Sequence, residues 1–225
     1  EDTDLTMGAL RQLGVRINER ALGIEIEGSG GMFQPADGPI YLGNSGTSMR
    51  LLVSIAALGR GDYRLTGTRR LQERPVQALI DSLTQIGVPV RAVHRNGCPP
   101  LEITGGRITG GTVDIDCSMS SQFLSSLLLM APLTDTGLQI NVCRGPVSKP
   151  YVDLTIDIMQ QFGVTLHRQG YATFDIAGGQ VYRAGTYTVE PDVSNASYFW
   201  AAGAITGKAI KVGGINQNSL QGDLK

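Results

Sequence analysis

Apolar side chains recur at helical spacing in three segments of the chain that end alike. In residues 76–86 they occupy positions i, i+3, i+4, i+7 and i+10, which form one face of an amphipathic helix. Residues 5–13 and 151–162 have a similar pattern, and each of the three segments ends in Gly-Val followed by extended sequence. The glycines at these ends, Gly14, Gly87 and Gly163, are separated by 73 and 76 residues. The pattern predicts a repeated structural unit.

A second kind of predicted helix recurs with the same period and is more strongly apolar. Each copy follows a start rich in Ser, Thr and Asn, and short runs typical of strands lie between the helices. These helices cover residues 49–58, 123–130 and 198–205, and the strand-like runs include 63–65, 113–115 and 138–142. Each unit therefore contains strand, helix, strand, helix and hairpin. This order predicts an α/β (α+β) fold built from repeated βαβαββ units.

Neither end of the chain coincides with the end of a unit. Residues 1–35 supply only the second helix and hairpin of one unit, and residues 186–225 supply only a first helix and a strand. We therefore expect the chain to be an excerpt from a longer protein. Trp200 continues an apolar helix and is predicted to lie in the core. Without partner repeats, the helix at 198–205 is expected to expose its apolar face.

The composition narrows the class of protein further. Of the 225 residues, 41% are hydrophobic and 17% are charged, which excludes a disordered chain. The formal net charge of −1 argues against nucleic acid or an anionic membrane as a partner, and no apolar run is long enough to span a bilayer. The three widely spaced cysteines fit a reduced, cytoplasmic protein better than a disulfide framework.

Two helix starts carry more polar side chains than capping requires. One side-chain oxygen is enough to cap a helix, yet four candidates crowd each of these starts. Several hydroxyls beside free N–H groups and the positive end of a helix dipole favour a phosphate or carboxylate ligand. Gly46 would let such a ligand approach the backbone closely. The candidates are Asn44, Ser45, Thr47 and Ser48 at one start, and Ser118, Ser120, Ser121 and Gln122 at the other.

Two cations precede prolines that are predicted to open helices. Arg74 and Lys149 stand directly before Pro75 and Pro150, where the helix dipole disfavours positive charge. An anion held between the cation and the helix start would reverse this penalty. Residues 60–74 contain five arginines, and arginine binds carboxylates and phosphates through two parallel hydrogen bonds. The pattern predicts an anion site near Arg74, and a solvated basic loop is the alternative for the other arginines.

Other motifs give weaker candidates. The glycine-rich segment 43–48 lacks the lysine of a Walker motif. Asp114 and Asp116 alternate on one strand without a His or Cys partner at metal-ligand spacing, which favours structural roles over a metal site. His94 and His167 occupy equivalent hairpins and are interpreted as residues that flank turns.

Five motifs occur in order and properly spaced: residues 42–50 (LGNSGTSMR), 73–75 (ERP), 120–124 (SSQFL), 148–151 (SKPY) and 190–199 (EPDVSNASYF). Together they resemble the 5-enolpyruvylshikimate-3-phosphate (EPSP) synthase family over essentially the whole chain. The resemblance implies the enolpyruvyl transferase fold, with two domains of three βαβαββ units packed around buried parallel helices and the ligands in the cleft between them. For this chain it implies one domain over residues 1–190 and the opening segment of the second over 191–225.

The resemblance also implies an activity. Enzymes of this family transfer the enolpyruvyl group of phosphoenolpyruvate to the 5-hydroxyl of shikimate 3-phosphate and release phosphate, without a metal or an organic cofactor. Their proton-transfer groups lie outside the segment that this chain matches, so no catalytic residue is assigned within it. We expect the chain alone to be inactive and the second domain of the same protein to be its partner.

Carried over residue by residue, the resemblance predicts a site for the acceptor substrate. Ser120, Ser121 and Ser148 would hold shikimate 3-phosphate. Tyr151 would pack against the shikimate ring, and Gln122 would lie between the two substrates.

The same carry-over predicts the phosphoenolpyruvate site. Gly46 and Arg74 would contact phosphoenolpyruvate, Asn44 and Thr47 would shape its pocket, and Arg50 is interpreted as structural support. Some family members have Ala at the position that corresponds to Gly46, and these tolerate the phosphoenolpyruvate mimic glyphosate. Gly46 therefore predicts a glyphosate-sensitive enzyme.

Two alternative functions stay open at this point. The homologous UDP-N-acetylglucosamine enolpyruvyl transferases need a reactive loop cysteine, and neither Cys98 nor Cys117 lies in a long loop. A non-catalytic anion-binding module on the same scaffold is a different class, which the incomplete units disfavour.

Overall fold

The order of helices and strands contains the predicted repeat. A computed structural model describes residues 2–224. Helix α1 (Asp2–Gln12) precedes the hairpin of β1 (Arg16–Arg20) and β2 (Gly23–Glu27). The next unit consists of β3 (Ile40–Tyr41), α2 (Gly46–Leu58), β4 (Gly61–Thr66), α3 (Gln77–Gln85), β5 (Val90–Ala92) and β6 (Leu101–Gly105). The unit after it consists of β7 (Gly111–Asp116), α4 (Gln122–Met130), β8 (Gly137–Arg144), α5 (Lys149–Gln161), β9 (His167–Gln169) and β10 (Thr173–Ala177), and α6 (Val193–Thr206) follows. The βαβαββ prediction is confirmed.

The two complete units form sheets of identical topology. Their strand orders are β3-β4-β6-β5 and β7-β8-β10-β9. The first two strands of each sheet are parallel because a helix connects them, and the hairpin strands are antiparallel. The carboxyl ends of each parallel pair therefore lie at the same edge of the sheet, and the loops that lead to helices leave from that edge.

Helices α2 and α4 are the buried helices of the two units and pack directly on each other. The Ser54 and Ser126 hydroxyl oxygens are 2.7 Å apart, and both residues are almost fully buried. Ser126 also donates to the carbonyl oxygen of Arg50 at 2.6 Å. Contacts along the two helices join residues 72–76 positions apart, so the helices run parallel and nearly in register. Small hydroxyl side chains at the contact allow the close approach.

The outer helices follow the predicted apolar pattern with one difference at a helix start. In α3 the buried face comprises Leu79, Ile80 and Leu83, as the spacing predicts. Pro150 lies in the first turn of α5, but Pro75 precedes α3 altogether, because the N-cap is Val76. A short 3-10 turn ends at Glu73 and delays the helix. The prediction that Pro75 opens a helix is wrong.

Helix α6 lies apart from the main hydrophobic core. Tyr198 is 74% exposed and Ile205 85%, as expected for an apolar face without partner repeats. Trp200 is 39% exposed, so its assignment to the core is wrong. The buried positions of α6 are Val193, Ala196 and Gly203, and Trp200 is not among them. The division of the chain at residues 190 and 191 stays a prediction. Within residues 2–224, no helix combines the length and apolar character needed to cross a membrane.

Candidate functional site

Four loops meet at the carboxyl ends of the two parallel strand pairs. Beyond β3 and β4, Leu42 donates its amide to Thr66 at 2.8 Å, and Thr68 donates to Gly43 at 2.7 Å. Beyond β7 and β8, the amide of Cys117 donates to Arg144 at 2.8 Å. These bonds hold the loop that enters α2 against the loop that carries Arg74. The bond from Cys117 to Arg144 likewise holds the loop that enters α4 against the loop that enters α5.

The start of α2 has polar groups beyond its cap. Ser45 is the N-cap, and its hydroxyl accepts the Ser48 amide at 3.4 Å. The Ser45 and Ser48 hydroxyl oxygens are 2.7 Å apart, so both side chains are engaged in the local structure. Asn44 and Thr47 are exposed on either side of the cap, beside the free N–H groups of the first turn. Both side chains are therefore accessible from solvent, and their role in binding a ligand stays a prediction.

Arg74 reaches the start of α2 rather than the start of α3. A Cβ atom built on Gly46 would overlap the Arg74 Nη1 atom and would lie 3.2 Å from its Cζ atom. The guanidinium therefore occupies the space that a larger residue at position 46 would need. Arg74 precedes the delayed start of α3, so the expected dipole penalty at that helix does not explain its position. The close approach of Arg74 to Gly46 brings together two residues predicted for one ligand.

Gln122 connects the starts of α2 and α4. Its Oε1 atom accepts from Arg50 Nη1 at 2.7 Å, and its Nε2 atom donates to Thr47 Oγ1 at 2.8 Å. The Arg50 guanidinium lies 5.3 Å from the centre of the Phe123 ring. Burial and, to a smaller extent, the positive charge of Arg74 lower the pKa of Arg50. Arg50 thus contacts Gln122, a residue predicted to bind ligand. The interpretation of Arg50 as structural support did not identify this contact.

The charge at this junction favours an anion. Within residues 2–224, no carboxylate lies at ion-pair distance from Arg50 or Arg74. The two guanidinium groups are near enough for Arg74 to affect the pKa of Arg50. Two neighbouring cations without a carboxylate, beside a helix start, form an environment that a phosphate or carboxylate would stabilise.

The predicted serines lie at the starts of α4 and α5. Ser121 is 4% exposed and is the N-cap of α4, but its hydroxyl makes no capping bond. Ser120 accepts the Gln122 amide at 3.2 Å instead. Ser148 precedes α5 in a left-handed conformation with φ of 53° and also makes no capping bond. The hydroxyls of Ser121 and Ser148 are thus not used for capping.

A contact within the first two turns of the helices joins α4 to α5. The Ser125 and Thr155 hydroxyl oxygens are 2.8 Å apart, and Thr155 donates to the carbonyl oxygen of Tyr151 at 2.8 Å. Tyr151 is 54% exposed and lies in the first turn of α5. Its ring is therefore available at the same end of the helices as the serines.

The ammonium group of Lys149 does not lie where its position before Pro150 suggests. Its ammonium group lies 5.1 Å from the centre of the Tyr171 ring. The Tyr171 hydroxyl donates to Asp153 at 2.6 Å, and Arg168 also contacts both Tyr171 and Asp153. Lys149 is thus part of a cation–π cluster at α5, and the idea that it holds an anion against the start of α5 has no support here.

The remaining candidates are two histidines and two strand aspartates. His94 follows β5 and His167 begins β9, so both lie at the equivalent hairpins, as predicted. Asp114 accepts from Asn141 at 2.9 Å, and Asp116 pairs with Arg144, which are structural contacts. In residues 2–224, no group of three or more His, Cys, Asp or Glu side chains is arranged to hold a metal ion.

Comparison with known proteins gives a consistent result. The chain is 44% identical to 3-phosphoshikimate 1-carboxyvinyltransferases of Photobacterium damsela subsp. piscicida and Sulfurovum sp. (strain NBC37-1), and it is covered completely in both matches. It spans 54% and 53% of the length of these relatives.

Solved structures agree with the sequence comparison. An EPSP synthase from Acinetobacter baumannii superposes with a TM-score of 0.76 at 28% identity, covering 89% of this chain and 44% of that one. The enolpyruvyl transferase NikO from Streptomyces tendae, at 22% identity and a TM-score of 0.61, shares the fold over 88% of this chain and 46% of that one. The family model described as EPSP synthase (3-phosphoshikimate 1-carboxyvinyltransferase) matches residues 1–225, and the chain therefore belongs to the EPSP synthase family.

Proposed function

We propose that this chain is part of an enzyme that transfers the enolpyruvyl group of phosphoenolpyruvate to shikimate 3-phosphate, and that it contributes residues to the sites of both substrates. The observation that carries the proposal is the junction of three helix starts. Hydroxyls not used for capping lie at α4 and α5, the Arg74 guanidinium lies against Gly46 at the start of α2, and Arg50 belongs to α2. Gln122 connects the α2 and α4 sides through Arg50 and Thr47. This arrangement suits two anionic ligands held next to each other.

In the proposed reaction, each side of the junction has its own task. Ser120, Ser121 and Ser148 bind the phosphate of shikimate 3-phosphate through hydroxyl and backbone donors, and Tyr151 packs against the ring. The 5-hydroxyl oxygen of this acceptor gives its proton to a group of the proposed second domain and bonds to C2 of phosphoenolpyruvate, while a proton is added at C3 and the C2=C3 double bond becomes single. When phosphate leaves C2 and the C3 proton is removed, the enol ether is formed. Preorganised donors accelerate such a step because they stabilise the developing charge without reorganising.

The donor substrate is assigned to the α2 side. Arg74 and the first-turn N–H groups at Gly46 bind phosphoenolpyruvate, and Asn44 and Thr47 border its pocket. Gln122 lies between the two ligands. Glyphosate, an anionic mimic of phosphoenolpyruvate, is proposed to bind the same groups. The proposed location of the enzyme is the cytoplasm, and the proposed partner of this chain is the second domain of the synthase.

The burial of Cys98 and Cys117 weighs against the UDP-sugar alternative. That reaction needs a reactive thiol, but Cys117 is fully buried and its burial raises the pKa of the thiol to about 12. Cys98 is partly buried, and its burial also raises the pKa of its thiol. Neither is suited to act as a thiolate near neutral pH. The anion-binding module differs from the synthase in one testable property, because it would bind plain phosphate as well as shikimate 3-phosphate.

Calorimetric titration of the 225-residue chain with shikimate 3-phosphate tests the proposal. Shikimate without phosphate, inorganic phosphate and a Ser121→Ala variant are the controls. We expect weak binding that requires both the ring and the phosphate and is lost in Ser121→Ala. Binding of inorganic phosphate with equal affinity would favour the non-catalytic module. No binding to a chain that is folded by circular dichroism would contradict the proposed acceptor site.

A further inference from the structure

The last residue pair of β7 and β8 is charged, whereas the corresponding pair in the other sheet is not. Asp116 pairs with Arg144 at the end of β7 and β8, after a bulge, and their side chains form an ion pair. At the end of β3 and β4 the equivalent pair is Tyr41 and Thr66, which has no charge. Both sheets have the same backbone bond just beyond the pair, at 2.8 Å in each case. The two sheets therefore share this backbone hydrogen bond, and the end of β7 and β8 has an ion pair in addition.

The two oxygens of the Asp116 carboxylate hold two different loops. Its Oδ1 atom accepts the Ser118 amide at 2.9 Å, which forms a turn at the beginning of the loop that enters α4. Its Oδ2 atom accepts from Arg144, which directly precedes the loop that enters α5. Hydrogen bonds from Ser118 and, to a smaller extent, the charge of Arg144 lower the pKa of Asp116. The carboxylate is thus ionised and bonded to both loops near neutral pH.

The loops held in this way carry the three serines assigned to the acceptor phosphate. Ser120 and Ser121 follow Ser118 by two and three residues, and Ser148 follows Arg144 by four. The loops also touch through the backbone, since a Cβ atom on Gly145 would lie 2.7 Å from the carbonyl carbon of Cys117. A change at the Asp116–Arg144 pair would therefore alter the separation between the serines on one loop and the serine on the other.

We propose that Asp116, through its bonds to Ser118 and Arg144, is a positioning residue that sets the spacing of the two serine loops for the phosphate of shikimate 3-phosphate. This inference rests on the proposed function. Asp116 does not touch the ligand in this proposal; it acts through Ser118 and Arg144. An exposed ion pair contributes little to stability, so this pair affects binding rather than folding.

The charge of Asp116 makes the test decisive. A carboxylate near a phosphate site repels the ligand, so Asp116→Asn should strengthen binding if electrostatics alone mattered. A positioning role predicts the opposite, because Asn keeps an acceptor for the Ser118 amide but loses the ion pair with Arg144. We expect Asp116→Asn to weaken binding of shikimate 3-phosphate to the 225-residue chain about fivefold. Arg144→Ala should weaken it at least as much.

A matched ion pair in the other sheet provides the control. Arg91 and Glu102 form a cross-strand pair at 2.6 Å with side chains 74% and 37% exposed, against 74% and 29% for Arg144 and Asp116. We expect Glu102→Gln and Arg91→Ala to leave the affinity unchanged. All four variants should unfold thermally within a few degrees of the parent chain. In the Asp116→Asn/Arg144→Ala double variant, the two effects should not add, since the residues act through one contact.

Hydrogen exchange gives a readout that does not depend on the ligand. The amides of residues 118–122 and 147–148 should exchange faster in Asp116→Asn than in Glu102→Gln, with no change elsewhere. Unchanged or tighter binding by Asp116→Asn, in a parent chain that binds shikimate 3-phosphate, would overturn the positioning role alone. Failure of the folded parent chain to bind would overturn the proposed acceptor site and this inference with it.

Discussion

Replacing Gly46 with Ala tests the proposed site at the α2 start, because the methyl group meets the side chain of Arg74 directly. The added Cβ atom would overlap Arg74 Nη1 and would lie 3.2 Å from Cζ and 3.5 Å from Cδ of the same residue. The three nearest atoms all belong to the flexible Arg74 side chain. The backbone can therefore stay in place while the guanidinium moves away from the start of α2.

Gly46→Ala should change ligand binding more than it changes the free energy of unfolding. Non-bonded heavy atoms rest at roughly 3.5–4.0 Å, so the guanidinium must move by about 1 Å or more. In a helix interior Ala is favoured over Gly by up to about 1 kcal/mol, and Gly46, as the first residue of α2, gains less than this. We expect the free energy of unfolding to change by less than about 1 kcal/mol. A charged hydrogen bond lost from the anion costs about 1.5–3 kcal/mol, or roughly tenfold to a hundredfold in affinity.

The effect of Gly46→Ala on anion binding can be measured as glyphosate inhibition of a full-length synthase that carries this sequence. We expect Gly46→Ala to raise the inhibitory concentration about tenfold or more, with a crystal structure showing a displaced Arg74. Gly8→Ala is the matched control, because Gly8 also lies in a helix, α1, and a Cβ atom there meets nothing within 4 Å. Gly8→Ala should leave inhibition unchanged. Inhibition of Gly46→Ala equal to that of the parent enzyme would refute this account of the pocket.

Three further predictions follow from burial and from the proposed division of labour. Cys117 should resist alkylation at pH 8 in the folded chain, while the exposed Cys143 reacts; equal labelling in a mass spectrum would contradict the burial that raises the pKa of Cys117. Amides of α6 should exchange faster than those of α3, because most side chains of α6 are exposed; equal protection in a monomeric sample would show that α6 is covered. The 225-residue chain should release no phosphate from shikimate 3-phosphate and phosphoenolpyruvate, and turnover in a phosphate assay would show that it contains its own proton-transfer groups.

The repeat and most helices could be predicted from the sequence because both depend on local spacing. The residues of the apolar face of α3 lie within a few positions of one another along the chain, and so do those of the polar start of α4, so periodicity and capping preferences identify both. The 73–76-residue period also placed Ser121 and Thr47 at equivalent helix starts. Assignment of individual residues to one ligand or the other came from the resemblance to a family and stays a proposal.

Contacts between distant residues were decided only by the tertiary structure. Both Arg74 and Lys149 precede a proline, yet Arg74 lies against Gly46 and Lys149 lies over Tyr171. The difference arises because sheet pairing and helix packing place a different neighbour beside each side chain. These neighbours are distant in sequence, so local sequence does not predict them. Arg50 contacts Gln122 across 72 residues for the same reason. The sequence by itself determined the units and their polar helix starts, whereas parallel pairing of β3 with β4 and of β7 with β8, together with the packing of α2 on α4, decided which of those polar groups meet.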